Sequence, residues 1–102
     1  MNVAISLAAR ADLRGIGDYI AAFDPVRGRR FVSALITAVF ELGDMPRAFP
    51  LLPEFEHRGI RRRSWRGYLI IYRVMQDRVV VLRVLHGARD YNLLLIPDEW
   101  IT

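Results

Sequence analysis

The 102-residue chain has no cysteine and no lysine. Without cysteine there are no disulfides, no thiolate metal ligands and no thiol nucleophile. Without lysine, every basic residue except the histidines is an arginine, which stays protonated and makes a poor general base. The two histidines, His57 and His86, stand alone, with none of the spacing a metal site requires. No apolar run approaches the roughly 20 residues of a membrane span. The opening residues Met1–Leu7 carry no basic segment ahead of an apolar one, so a secretory leader is not expected. No repeat or low-complexity tract occurs. Gly15-Ile16-Gly17 falls inside an expected helix rather than after a strand, so it is not a phosphate-binding loop. These absences predict a soluble cytoplasmic protein without cofactor or metal.

What is present is a single domain's worth of chain, 53% hydrophobic, which is enough for a core without covalent staples. Its charge is uneven. Residues 1–57 hold six arginines against seven acids, and residues 58–102 hold nine against four, so that −1 and +5 make the +4 of the whole. Codon bias in a GC-rich genome would account for arginine in place of lysine, and less easily for its clustering. Arg58, Arg61, Arg62, Arg63 and Arg66 fall within nine residues that contain no acid. Such a patch implies an acidic partner, either nucleic acid or an acidic protein segment.

Periodicity assigns the elements. Val3, Ile5 and Leu7 alternate with small or polar residues, predicting a strand over 2–7. Leu13, Ile16, Ile20 and Phe23 recur at helical spacing, predicting a helix over about 8–23. Asp24-Pro25 breaks it and starts a second, Asp24 as N-cap and Pro25 at the first position. That helix is expected to run to about Leu42, with Gly43 as its C-cap. The short join makes the pair an antiparallel hairpin. Residues 44–56 form a loop through Pro46, Pro50 and Pro53. Its Phe49, Leu51, Leu52 and Phe55 are expected to pack on the edge of the core. Strands are predicted over 57–65, 68–75 and 78–86, turning at Arg66-Gly67 and Gln76-Asp77. The first is basic and reads as an edge or solvent-facing strand. The other two are apolar almost without alternation, as strands covered on both faces are. A further short element is expected over 91–96. The fold class is therefore α+β: an N-terminal strand, a helical hairpin and a three-stranded antiparallel meander, β-α-α-β-β-β.

That layout resembles the RelE/ParE toxins of type II toxin–antitoxin systems, over almost the whole chain. The local likenesses are Ala11-Asp12-Leu13 with Ile16 and Tyr19-Ile20, Met45-Pro46, Gly59-Ile60-Arg61, Tyr68-Leu69-Ile70-Ile71-Tyr72-Arg73, and Val81-Leu82-Arg83-Val84-Leu85-His86-Gly87-Ala88-Arg89-Asp90. The resemblance implies a toxin neutralised by a cognate antitoxin, ParD-like, whose acidic C-terminal segment folds onto it. Arg58, Arg61, Arg62, Arg63, Trp65 and Arg66 are the expected antitoxin- or target-binding residues. Alternation places Arg61 and Arg63 on one face with Trp65, and Arg62 on the other with Ile60 and Ser64.

The resemblance implies two possible targets. ParE-like members inhibit DNA gyrase; RelE-like members cleave ribosome-bound mRNA. Cleavage needs an acid, a base and cations for the phosphorane. Its candidates here are Arg61, Arg83, His86 and Tyr91. An imidazole suits acid–base work near neutrality, but His86 at a strand end more commonly bonds backbone. Arg83 alternates with Val81 and Leu85, and reads equally as a phosphate clamp or as a structural partner of an acid such as Asp90. Glu54 and Glu56 are expected to be solvated loop charges. The missing lysine and the Tyr72-Arg73 and Arg83–His86 patterns lie closer to the ParE branch, so gyrase inhibition without catalysis is the leading expectation. The alternatives are mRNA cleavage and a non-toxic member that only binds its antitoxin and regulates its promoter.

Overall fold

The computed structural model describes residues 1–90. Its elements are β1 (Asn2–Ile5), α1 (Leu7–Ala21), α2 (Pro25–Phe40), β2 (Ile60–Trp65), β3 (Tyr68–Val74), β4 (Arg78–His86) and a single turn, α3 (Gly87–Asp90). Two 3-10 segments, Glu41–Gly43 and Pro53–Arg58, lie between α2 and β2. The element expected over 91–96 lies outside the described residues.

The sheet order is β1-β4-β3-β2. β2, β3 and β4 form the expected antiparallel meander, while β1 joins β4 in parallel, from Asn2 opposite Arg78 to Ile5 opposite Val81. At Ser6 the chain leaves the sheet. The Ser6 N–H donates to Val81 O at 3.0 Å, its hydroxyl donates to Leu82 O at 2.9 Å, and the same oxygen accepts the Ala9 N–H at 3.0 Å. One serine thus ends a strand and caps α1. Asp24 caps α2 by accepting the Arg27 N–H at 3.1 Å, with Pro25 behind it as expected. The helices pack closely where Gly28 meets Ala21; a Cβ on Gly28 would lie 2.9 Å from the Ala21 nitrogen.

Both faces of the central strands are covered. Toward the helices, Leu13, Ile16, Leu35, Val39 and Leu42 pack on Ile70, Tyr72, Val79, Val81 and Val84. On the opposite face, Leu52, Ile60, Leu69, Ile71, Leu82 and Leu85 form a second cluster with Phe55. Each fully buried Leu or Ile contributes about 2 kcal/mol. The apolar loop residues divide between the two cores: Phe49 joins the first, Leu52 and Phe55 the second. Leu51 bridges Arg61, and the Arg62 N–H donates to Pro50 O at 3.0 Å, so the loop covers the outer edge of β2.

Three expectations are corrected. The basic strand begins at Ile60 rather than at His57, because Pro53 starts a 3-10 segment that ends on left-handed Gly59 (φ 69°). Gly43 is not a left-handed C-cap; it is small because the N-terminal strand passes over it, and a Cβ there would lie 2.3 Å from Met1 O. Val81 and Leu85 do not share a face with each other. Tyr72 pairs with Val81 and Ile71 with Arg83, leaving Leu82 as an extra residue, so alternation shifts and Val81 and Leu85 enter different cores.

Candidate functional site

The five clustered arginines do not form one surface. Arg63 turns inward. Its Nη1 donates to Ala38 O at 2.8 Å and to Glu41 Oε1 at 2.9 Å, and its guanidinium lies 4.9 Å from the centre of the Phe49 ring. Ala38 O belongs to the last turn of α2, so a cation there also meets the negative end of the helix dipole. Arg61 donates to Phe49 O at 2.8 Å, and Tyr72 donates its hydroxyl to Pro46 O at 2.8 Å. Burial raises the Tyr72 phenol above its ordinary pKa, partly opposed by the charges of Arg61 and Arg63. Together these three side chains tie the 44–50 loop to the helix-facing side of the sheet. Arg62 lies on the other side, as alternation requires, and Arg58 closes the second 3-10 segment.

Arg66 differs from all of these. It occupies the first position of the β2–β3 turn at φ 46°, followed by Gly67 at φ 84°. Two residues of positive φ form the tight hairpin turn that matches strand twist, a turn normally filled by Asn-Gly or Gly-Gly. The Arg66 guanidinium lies 4.6 Å from the Trp65 ring centre. Trp65 meets Phe31 edge-on at 5.4 Å, Phe31 meets Tyr68 at 5.5 Å, and Tyr68 meets His86 edge-on at 5.2 Å. A row of rings therefore runs from the hairpin tip to the end of β4.

At that end Arg83 is bound by Asp12 of α1, its Nε and Nη2 donating to the two carboxylate oxygens at 2.7 and 2.9 Å. Asp12 Oδ2 also accepts the Val84 N–H at 2.9 Å. β1 has ended at Ile5, and the carboxylate takes the place of a neighbouring strand along β4. The bond to Asp12 raises the Arg83 pKa. The acid expected from sequence was Asp90, which instead caps α3. Asp90 Oδ2 accepts the His86 N–H at 3.1 Å, while His86 Nδ1 accepts the Arg89 N–H at 3.1 Å, a reciprocal arrangement like a capping box. The Arg89 side chain also bonds Asp90 at 3.0 Å and, with the His86 amide, lowers the Asp90 pKa.

Among the cleavage candidates, Arg61 and His86 stand apart along the sheet. Arg61 pairs with Tyr72, whereas His86 pairs with Tyr68, four positions back along β3 and about 13 Å away at the strand rise. Arg83 and His86 are both engaged in the bonds above, and Tyr91 lies outside the described residues.

Two hollows flank α2. One, of about 640 Å³, lies between α1 and α2 and is lined by Leu13, Gly17, Ala21, Val32 and Ile36, with Arg14, Asp18 and Arg29. The other, of about 430 Å³, is lined by Arg27 and Arg30 of α2 with Arg66 of the hairpin. Sequence reasoning missed Arg27 and Arg30. Their spacing of three does place them on one side of a helix, which was the available signal. Their meeting with Arg66 depends on tertiary packing. Asp12 was likewise invisible as a partner, lying 71 residues from Arg83.

Comparison with known proteins agrees with this architecture. In structure the chain is similar to the chromosomal ParDE toxin–antitoxin system from P. aeruginosa, with a TM-score of 0.70 and 20% identity, covering 84% of this chain and 95% of that one. It is also similar to the RelBE2 toxin–antitoxin complex from Mycobacterium tuberculosis, with a TM-score of 0.62 and 27% identity, covering 83% and 95%. No curated protein sequence matches significantly. The family model for the ParE toxin of the type II toxin–antitoxin system parDE matches residues 3–91. The chain belongs to the ParE toxin family of type II toxin–antitoxin systems.

Proposed function

We infer that this toxin acts in the cytoplasm by inhibiting DNA gyrase, and that a cognate antitoxin holds it inactive through an acidic, amphipathic C-terminal segment. The observation that carries the reading is the ParE family match over residues 3–91. The geometry supports binding over cutting, since Arg61, Arg83 and His86 are held in internal bonds rather than turned toward a common point. The surface also suits such a partner. The groove beside α1 offers apolar side chains to the apolar side of the segment. Of the arginines clustered at 58–66, the Arg62 and Arg66 side chains make neither an ion pair nor a hydrogen bond among the described residues.

The purified protein is expected to block supercoiling by gyrase or to accumulate cleaved gyrase–DNA complex. Normal supercoiling at stoichiometric excess of toxin overturns this target. A second reading, cleavage of ribosome-bound mRNA, draws on the likeness to RelBE2. It predicts new 5′ ends when translated message is examined by primer extension, and an intact message removes it.

A further inference from the structure

The hollow between the start of α2 and the β2–β3 turn is lined by Arg27, Arg30 and Arg66 together with Val26 and Phe31. None of the three guanidiniums makes an ion pair among the described residues. The sole carboxylate in the lining, Asp24, accepts the Arg27 N–H and caps the helix. Three like charges facing one space repel each other, and an anion entering it relieves that repulsion.

Two further observations point to a built site. Arg66 sits in left-handed backbone, where glycine or asparagine would be relaxed. Its guanidinium is also held in place on Trp65, and Trp65 on Phe31. The charge is thus presented on an aromatic base, at a position the backbone disfavours for arginine.

The floor decides what kind of anion fits. Val26 is 47% exposed, and Phe31 is fixed by Trp65 and Tyr68. Phosphate contacts need cations and N–H donors but no apolar floor. Base stacking needs open rings, and Arg66 already covers one face of Trp65. A peptide with carboxylates on either side of an apolar residue satisfies both the floor and the rim.

We propose that the Arg27–Arg30–Arg66 hollow is a docking site for an acidic amphipathic peptide segment, supplied by the antitoxin. The site rests on the antitoxin reading above and adds its electrostatic anchor. The anchor lies on the hairpin tip and α2, not along β2.

The test uses the full toxin and its cognate antitoxin, titrated at low and high salt. Arg27→Ala, Arg30→Ala and Arg66→Gly are each expected to weaken the complex about fivefold at low salt, and about a hundredfold together, with the difference shrinking as salt rises. Arg66→Gly separates binding from folding, because glycine relieves the turn: the variant melts no lower than wild type yet binds less tightly. Unchanged affinity in the triple variant, with wild type binding, overturns the docking site and leaves the antitoxin reading standing. Loss of duplex DNA binding with antitoxin affinity intact overturns it in favour of nucleic acid. Failure of wild type to bind the antitoxin overturns both.

Discussion

Arg63 and Arg66 sit on the same hairpin, yet their guanidiniums are used in opposite ways. Arg63 is sunk between α2 and the 44–50 loop, with carbonyl, carboxylate and ring partners. Arg66 rides on a tryptophan at the tip, facing two other arginines. The difference comes from position along the strand. On the helix side of β2, Arg63 reaches Ala38 O in the last turn of α2 and Arg61 reaches Phe49 O in the loop. Arg66 instead lies in the turn, beyond the last strand pair of Trp65 with Tyr68. A cluster of like residues in sequence is therefore two populations in space: one holds the fold together and the other is presented outward.

The contrast should be largest at the most internal pair. Asp12→Ala removes both bonds to Arg83 and the acceptor for Val84 N–H, and should cost about 3 kcal/mol, lowering the melting temperature by about 15 °C. A loss of only a few degrees would show that Asp12 does not stand in for a strand. Next, Arg63→Ala should cost about 2 kcal/mol, measured by urea unfolding, because Ala38 O and Glu41 lose their donor. Arg30→Ala should change stability by less than about 0.5 kcal/mol. Equal losses in the two variants would erase the distinction drawn above. Arg66→Gly should go the other way, gaining about 1 kcal/mol as the left-handed strain is released.

The smallest effect is acidic. The Asp90 pKa is lowered in the folded protein, so its contribution is complete above the unfolded value of about 3.9 and fades as pH falls through the folded one. Asp90→Asn should melt slightly below wild type at pH 7, with the gap closing as pH falls below about 3.9. A gap that persists in acid would assign the effect to shape rather than charge.

Local signals in the sequence carried most of the architecture. Asp24-Pro25 marked the helical break, Arg66-Gly67 the turn, and the unbroken apolar runs the two central strands, because caps, turns and periodicity act over a few residues. Long-range pairing was not legible. β1 could be assigned as a strand but not given its parallel place beside β4. Arg83 could be expected to meet an acid, but the choice of Asp12 depends on where α1 lies once β1 ends. For the clustered arginines, alternation gave their faces correctly. It could not show that the end of α2 waits above Arg63, or that Arg27 and Arg30 face Arg66.

The extra residue at Leu82 also bears on how β4 finds its place. Before it, odd-numbered residues Val79 and Val81 face the helices; after it, the even-numbered Val84 does. A strand apolar on both sides carries little in its own pattern to prevent slippage along its neighbour. A frame shift at one fixed point restricts that freedom, because sliding β4 by two residues would move the shift away from the Ile71–Tyr72 step and change which residues face each core. The irregularity acts as a key, allowing a nearly featureless strand only one alignment.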